Sequence, residues 1–157
     1  MNRLFLLIFV TLSLFACKQQ PKDATSPTQT APATQLTTLS YPPLPGAIAN
    51  VIGTKGDHID VLFFNMPISI SRDGNPDVQQ MLSHVSSEAP KQVAPCQAIG
   101  RIFFQGQGET LAEADIFLDE NCNYYLFYEN GKPAYANFLT PDGVKLYENL
   151  TAPYRKR

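Results

Sequence analysis

The sequence predicts a single α+β domain in which a mainly antiparallel sheet is covered on one face by one or two helices. Short apolar segments separated by turn residues fill the second half of the chain, which is typical of a β-meander. The dipeptide Asn130-Gly131 lies between two of these segments and is a strong hairpin signal. Helix start signals near Asn75 and Thr140 precede apolar residues at helical spacing.

The N-terminus has the features of a secretory signal. Arg3 precedes the apolar run 4–15, which is too short to cross a bilayer core of about 30 Å comfortably. The small residue Ala16 follows, as at a signal cleavage site. The run Leu14-Phe15-Ala16-Cys17 resembles the lipobox of bacterial lipoproteins, although Phe15 stands where a small or β-branched residue is usual.

The lipobox resemblance implies a membrane anchor. It implies cleavage after Ala16, diacylglycerol on the Cys17 sulfur and acylation, as with palmitate, of the new amino terminus. Residues 1–16 would then be a signal peptide, and the acyl chains would hold the protein on a lipid bilayer of the cell envelope. Lys18, in place of an aspartate, favours the outer membrane. The alternative is an ordinary secretory signal with a cysteine nearby by coincidence.

The segment 17–45 is predicted to be a disordered tether. It is rich in Pro, Thr, Ala, Gln and Ser, so it has too little apolar surface to offset the entropy lost on ordering. The globular domain is therefore expected to cover residues 46–157.

The charge balance gives no indication of a nucleic-acid partner. The chain has 12 Lys and Arg against 14 Asp and Glu, for a formal net charge of -2. The only basic cluster is 155–157 at the C-terminus, where a solvated tail is expected.

The first elements of the domain are predicted to be two strands and a helix. Residues 59–64 form an apolar strand candidate, and Ile68 and Ile70 alternate with serines beyond a bend at Pro67. The helix is predicted to have Asn75 as its N-cap and to end before Pro90. Its apolar face is Val78, Met81, Leu82 and Val85.

Four further strands form the predicted meander, and a helix follows them. The strands cover residues 99–105, 111–118, 124–129 and 132–138. The first turn is predicted to pair Gln105 with Glu109, and the Asn130-Gly131 turn to pair Glu129 with Lys132. Pro133 indicates that the last strand lies at an edge. Thr140 is expected to cap a closing helix, with a Pro-Asp-Gly turn as the alternative.

Cys96 and Cys122 are predicted to form a disulfide. If Cys17 is lipidated, these two are the remaining cysteines, and a bridge is the expected state in an envelope compartment. The alternative is a pair of free thiols in apolar surroundings.

No motif for a cofactor or a metal is evident, and no catalytic residue is assigned. Asp57, His58 and Asp60 suggest a hydrolase or a hydrolase accessory as one alternative, but a strand would turn Asp57 away from the other two. The chain has only one other histidine, His84, so a zinc site lacks ligands. The segment 73–77 begins like a calcium loop but does not complete the pattern.

The strand 124–129 is unusually aromatic and supports the main functional hypothesis. Tyr124 and Tyr128 share one face, with Tyr135 nearby across the hairpin, and this face could bind a protein or peptide partner. The alternative is that a helix or the segment 41–45 covers the same face. We therefore expect a non-enzymatic envelope lipoprotein with a binding face at these tyrosines. A carrier of small apolar ligands, using a pocket between helix and sheet, is a further alternative.

Overall fold

The computed structural model describes residues 40–91, 93 and 96–154 of the chain. The helices are α1 (Gly46–Lys55), α2 (Asn75–Leu82) and α3 (Pro141–Thr151). The strands are β1 (His58–Phe63), β2 (Ser69–Asp73), β3 (Ala98–Gly106), β4 (Glu109–Asp119), β5 (Cys122–Glu129) and β6 (Lys132–Phe138). The predicted signal peptide, Cys17, residues 17–39 of the predicted tether and the basic tail lie outside the described residues.

The six strands form one antiparallel sheet in the order β2-β1-β3-β4-β5-β6, which confirms the predicted α+β class and its meander. All three helices pack on one face of this sheet through Ile52, Val78, Met81 and Tyr147. Alternate residues of β4 point into the same core, as predicted. Among the described residues, no helix is both long and apolar enough to cross a membrane.

Helix α1 was not predicted. It begins after Pro45 and ends at Lys55, and the N–H of the C-cap residue Gly56 donates to the Ile52 carbonyl at 2.9 Å. A Cβ at position 56 would lie 2.6 Å from a Val78 methyl carbon, so glycine permits the end of α1 to approach α2 this closely.

The prediction that Asn75 caps α2 is wrong, because its side chain bonds to α1 instead. Gly74 is the N-cap residue, and the Asn75 amide donates to the carbonyls of Gly53 at 2.9 Å and Gly56 at 2.8 Å. These carbonyls at the end of α1 otherwise lack helical partners. Helix α2 ends at Leu82, and the next predicted apolar position, Val85, forms a β-bridge to Leu139.

Two short turns set the registers of the meander. Asn130 and Gly131 have φ of 52° and 72°, and Glu129 pairs with Lys132 as predicted. The predicted pairing of Gln105 with Glu109 is wrong by one residue, since the turn has two residues, 107 and 108, and pairs Gly106 with Glu109.

Helix α3 forms as predicted rather than as a Pro-Asp-Gly turn. The Thr140 hydroxyl accepts from the Gly143 N–H at 3.3 Å, which is the expected N-cap bond. A Cβ at Gly143 would lie 2.9 Å from the Cβ of His84, so the glycine in the first turn lets α3 pack against the segment after α2.

Strand β6 lies at the end of the sheet, as Pro133 indicated, but other segments bond to its outer edge. The Ala136 N–H donates to the Pro42 carbonyl and the Phe138 N–H donates to the Glu88 carbonyl, both at 2.9 Å. Tyr41 packs against a second cluster that includes Tyr124. Ordered contacts therefore begin before Gly46, within the stretch that composition assigned to the tether.

The predicted disulfide joins Cys96 to Cys122. Their Cα atoms are 6.4 Å apart, and Cys122 is buried with Phe117 and Tyr124 on the sheet face opposite the helices. The bridge ties the segment before β3 to the start of β5.

Candidate binding groove

A groove of about 490 Å³ lies between α1 and the ends of β4 and β5. Its volume falls within the usual range of about 300–1,000 Å³ for sites that bind small molecules or side chains. Its walls are α1 with the residue before it, one end of β4, and the end of the β5–β6 hairpin. The lining residues are Leu44, Ala47, Ile48, Val51, Thr110, Leu111, Ala112, Glu113, Phe127, Tyr128, Glu129, Asn130 and Tyr135.

The groove is open because β4 and β5 separate there. Their pairing runs from Asp119↔Cys122 to Ala114↔Phe127, and a β-bulge in the β5–β6 pair follows between Phe127 and Tyr128. Residues 110, 112 and 113 stay paired with β3, with a register shift at Leu111, whereas residues 128–129 follow β6. In the described part of the chain, no backbone pair joins 110–113 to 128–130. We call this gap the strand fork.

Helix α1 supplies an apolar wall of the groove, and hydrogen bonds near both ends of the helix hold it in place. Ala47, Ile48 and Val51 face the groove, and Val51 is 38% exposed. The N–H of Leu44, before the helix, donates to the Asn137 side chain at 2.8 Å. The amide of Asn75 holds the other end of α1, so both ends of the wall are hydrogen-bonded to the rest of the domain.

The structure separates the three tyrosines predicted as a binding face. Tyr128 and Tyr135 both line the groove. Tyr124 is 1% exposed and stacks on Phe117, with ring centroids 4.6 Å apart. Burial and the nearby Tyr41 raise the pKa of Tyr124 to about 12. At Tyr124, therefore, the structure agrees with the alternative in which the segment 41–45 covers the face.

Tyr128 is held rigidly at the groove. Its hydroxyl donates to Asp115 at 2.7 Å, and the Arg101 guanidinium lies 4.5 Å from its ring centroid. Arg101 also donates to Asp115 at 2.6 Å. Burial, followed by the bond to Asp115, raises the pKa of Tyr128 to about 12, so the phenol is neutral at physiological pH. These contacts lie on the sheet face opposite the helices, so Tyr128 lines the groove at the gap between the strands.

Both charged residues that line the groove are acidic. Glu129 accepts a hydrogen bond from the Tyr135 hydroxyl at 3.0 Å, and Glu113 lies 3.5 Å from the Arg101 guanidinium. The Arg101–Glu113 contact is long, and Arg101 is bound more closely by Asp115. The groove therefore combines apolar walls with a negative rim, which favours an apolar group that carries a positive charge.

His58 lies in a separate polar cluster on the open face of the sheet. Its Nδ1 is 2.6 Å from Asp73 and its Nε2 is 3.2 Å from Asp60. Ser71 donates to Asp60 at 2.8 Å and also lies 3.3 Å from Nε2. Asp57 is not part of this cluster, since its carboxylate accepts from the Gln107 N–H at 3.0 Å. Asp73 was missed as a partner because the pairing of β2 with β1, which places it opposite His58, depends on register.

The His58 contacts favour a charged imidazolium. Both ring nitrogens face carboxylate oxygens, so both are best satisfied as donors. An imidazolium that is already protonated cannot act as a general base, and Ser71 donates its proton to Asp60 rather than to the ring. We therefore assign the cluster a structural role, in which it joins the edge strand β2 to β1.

Nuclear magnetic resonance titration should separate the two histidines. The pKa of His58 is raised above 6.5 by its bond to Asp73 and by Asp60, whereas burial lowers the pKa of His84 below 6.5. The stabilisation from His58 is thus full below pH 6.5 and is lost as the pH rises through the raised value. Asp73→Asn should lower the His58 pKa and leave that of His84 unchanged. Equal pKa values for the two histidines would contradict the assigned contacts.

The calcium-like segment 73–77 is used for other contacts. Asp73 binds His58, and Asn75 binds the end of α1. Across the described ranges, no three His, Cys, Asp or Glu residues come together as a metal-binding group.

Sequence patterns could have indicated the α1 wall. Leu44, Ile48 and Val51 are spaced at i, i+4 and i+7, as on one face of a helix. The prolines before Gly46 place Leu44 in the predicted tether, whereas Ile48 and Val51 lie in the predicted domain without an assigned element. The strand fork has no comparable signal, because a β-bulge depends on the pairing between strands.

The chain shows no significant match to any protein-family model, to any curated protein sequence or to any solved structure.

Proposed function

We propose that the chain is a lipid-anchored, non-enzymatic envelope protein whose domain binds a partner through the groove beside α1. The observation that carries this proposal is the groove itself, which is lined by α1, by the strand fork and by Tyr128 and Tyr135. Its position combines two expectations from the sequence, a tyrosine-containing binding site and an apolar pocket between helix and sheet.

The proposed anchor rests on the lipobox resemblance at Leu14–Cys17. Cys17→Ala should move the protein from the membrane fraction, where we expect the outer membrane, to the soluble fraction. Mass spectrometry of the purified wild-type protein should find acyl chains on an N-terminal Cys17. A wild-type protein that begins at another residue, or that carries no acyl chain, would overturn the anchor without affecting the groove.

A neutral apolar dye tests whether the groove binds ligands. N-phenyl-1-naphthylamine should bind the wild-type protein with enhanced fluorescence, because the lining is mainly apolar. Ala47→Trp places a large ring in the groove from an exposed helix position and should weaken dye binding by about tenfold, or about 1.4 kcal/mol.

Asn50→Trp is the matched control for the dye experiment. Asn50 is exposed on the same helix and is not among the groove residues. This variant should bind the dye like the wild type. Equal binding by all three proteins would place the dye elsewhere and contradict the proposed site.

A further inference from the structure

We infer that the occupant of the groove is an extended peptide segment in which an apolar side chain is flanked by lysine or arginine. This inference rests on the proposed function and specifies its partner. Three features of the groove carry it: the unpaired strand edges of the fork, the apolar floor and the acidic rim.

The strand fork offers main-chain hydrogen bonds. Residues 110, 112 and 113 of β4 pair with β3 on one side only, and residues 128–129 of β5 pair with β6 on one side only. Alternate residues of an extended strand direct their N–H and C=O groups to opposite sides. Each of these segments therefore presents backbone donors and acceptors to the fork, as in sites where a peptide adds to the edge of a sheet.

The floor of the groove suits one apolar side chain. Ile48 and Leu111 belong to the partly buried rim of the main core, and Phe127 is buried beneath them. Tyr128 lines the groove where the strands separate, and its hydroxyl is bonded to Asp115. An anchor such as phenylalanine or leucine would contact all three elements that form the groove, and burying it would provide much of the affinity.

The acidic rim of the groove favours positively charged residues next to the apolar side chain of the peptide. Glu113 and Glu129 stand on opposite strands of the fork, and both line the groove. A cation that approaches the fork meets both carboxylates, whereas an acidic peptide would be repelled.

A peptide fits these features better than a purely apolar ligand. A lipid chain or a hydrocarbon would cover the backbone groups of the fork without bonding to them. Burial of an amide without a hydrogen-bond partner is unfavourable, because the amide loses its bonds to water. An extended peptide can satisfy the same groups while it places its side chain on the apolar floor.

Isothermal titration of the full chain with short synthetic peptides tests this inference. A capped lysine–valine–phenylalanine–valine–lysine peptide should bind. Its glutamate-flanked counterpart should bind more weakly by a factor of about ten or more, and a factor of ten corresponds to about 1.4 kcal/mol. N-methylation of the central amides of the lysine peptide removes main-chain donors and should abolish most of the affinity. A double variant, Glu113→Gln with Glu129→Gln, should bind both charged peptides about equally.

The double variant Glu120→Gln with Glu148→Gln is the charge-matched control, since both residues are exposed and neither is among the groove residues. It should preserve the preference for the lysine peptide. Equal binding of the lysine, glutamate and N-methylated peptides would overturn the inference, as would no binding of any of them. If the neutral dye still binds and Ala47→Trp still weakens its binding, the groove remains a binding site and only the inference of a peptide partner is rejected. If neither the peptides nor the dye bind, the proposed function itself is rejected.

Discussion

Replacing Tyr147 by alanine is expected to lower the free energy of unfolding by about 4 kcal/mol, within the range for large aromatic residues removed from a core. Tyr147 is fully buried and fixes α3 on the sheet. Its ring meets Phe63 and Tyr125 edge to face, with both centroid distances at 6.2 Å. Its hydroxyl lies 2.9 Å from that of Tyr125, so truncation leaves a cavity and an unpaired buried hydroxyl. Urea unfolding followed by circular dichroism measures the effect.

Two variants separate the parts of the Tyr147 effect. Tyr147→Phe keeps the ring and should cost only about 1–3 kcal/mol, the penalty for leaving the Tyr125 hydroxyl unpaired. Tyr154→Ala removes a tyrosine just beyond α3 that is 42% exposed, and should change stability by less than about 0.5 kcal/mol. Similar losses for Tyr147→Ala and Tyr154→Ala would show that α3 is not anchored through this ring.

Loss of the Cys96–Cys122 bridge is the other large expected effect. The cysteines are 26 residues apart, and closure of a loop of this length stabilises the folded state by about 3.5 kcal/mol in the chain-entropy description. The double variant Cys96→Ala and Cys122→Ala should therefore lose about 2–5 kcal/mol of unfolding free energy in urea.

Reduction provides the control for the disulfide experiment. Dithiothreitol should destabilise the wild type by a similar amount and leave the double variant unchanged, because that variant has no bridge to reduce. Thiol counting under denaturing conditions should find no free thiol at these two positions before reduction. Two reactive thiols there in the unreduced protein would contradict the bridge.

Local sequence chemistry predicted the meander well. The Asn130-Gly131 turn needs φ above zero at both central residues, and few other dipeptides adopt that conformation readily. The cap at Thr140 is equally local, since its hydroxyl bonds three residues along the chain. Both features are independent of distant contacts, so the sequence around them is sufficient.

Features that depend on distant contacts were not predictable in the same way. The Asn75 side chain suits a helix cap, but the carbonyls at the end of α1 compete for it. The apolar Val85 continues the spacing of α2, yet it pairs with Leu139 beyond the helix end. In both cases a tertiary partner decides between two locally reasonable conformations.

The candidate site was predicted only in part, because it also depends on distant contacts. Strand alternation indicates which side chains share a face, but it does not reveal what covers that face. Tyr124 is thus buried under neighbouring residues, while Tyr128 and Tyr135 reach the groove. The fork between β4 and β5 needs knowledge of both pairings, and it supplies the backbone groups on which the peptide inference depends.

Amide chemical-shift mapping with the lysine-flanked peptide tests the central claim most directly. Nuclear magnetic resonance spectra of the labelled protein should show the largest changes at residues 47–51 of α1, at 110–113 and at 128–130. The amides around His58 on the open face should remain unchanged, as should the backbone around the Cys96–Cys122 bridge. Saturable changes centred on the His58 cluster, or on the sheet face near Tyr124, would contradict the groove as the binding site.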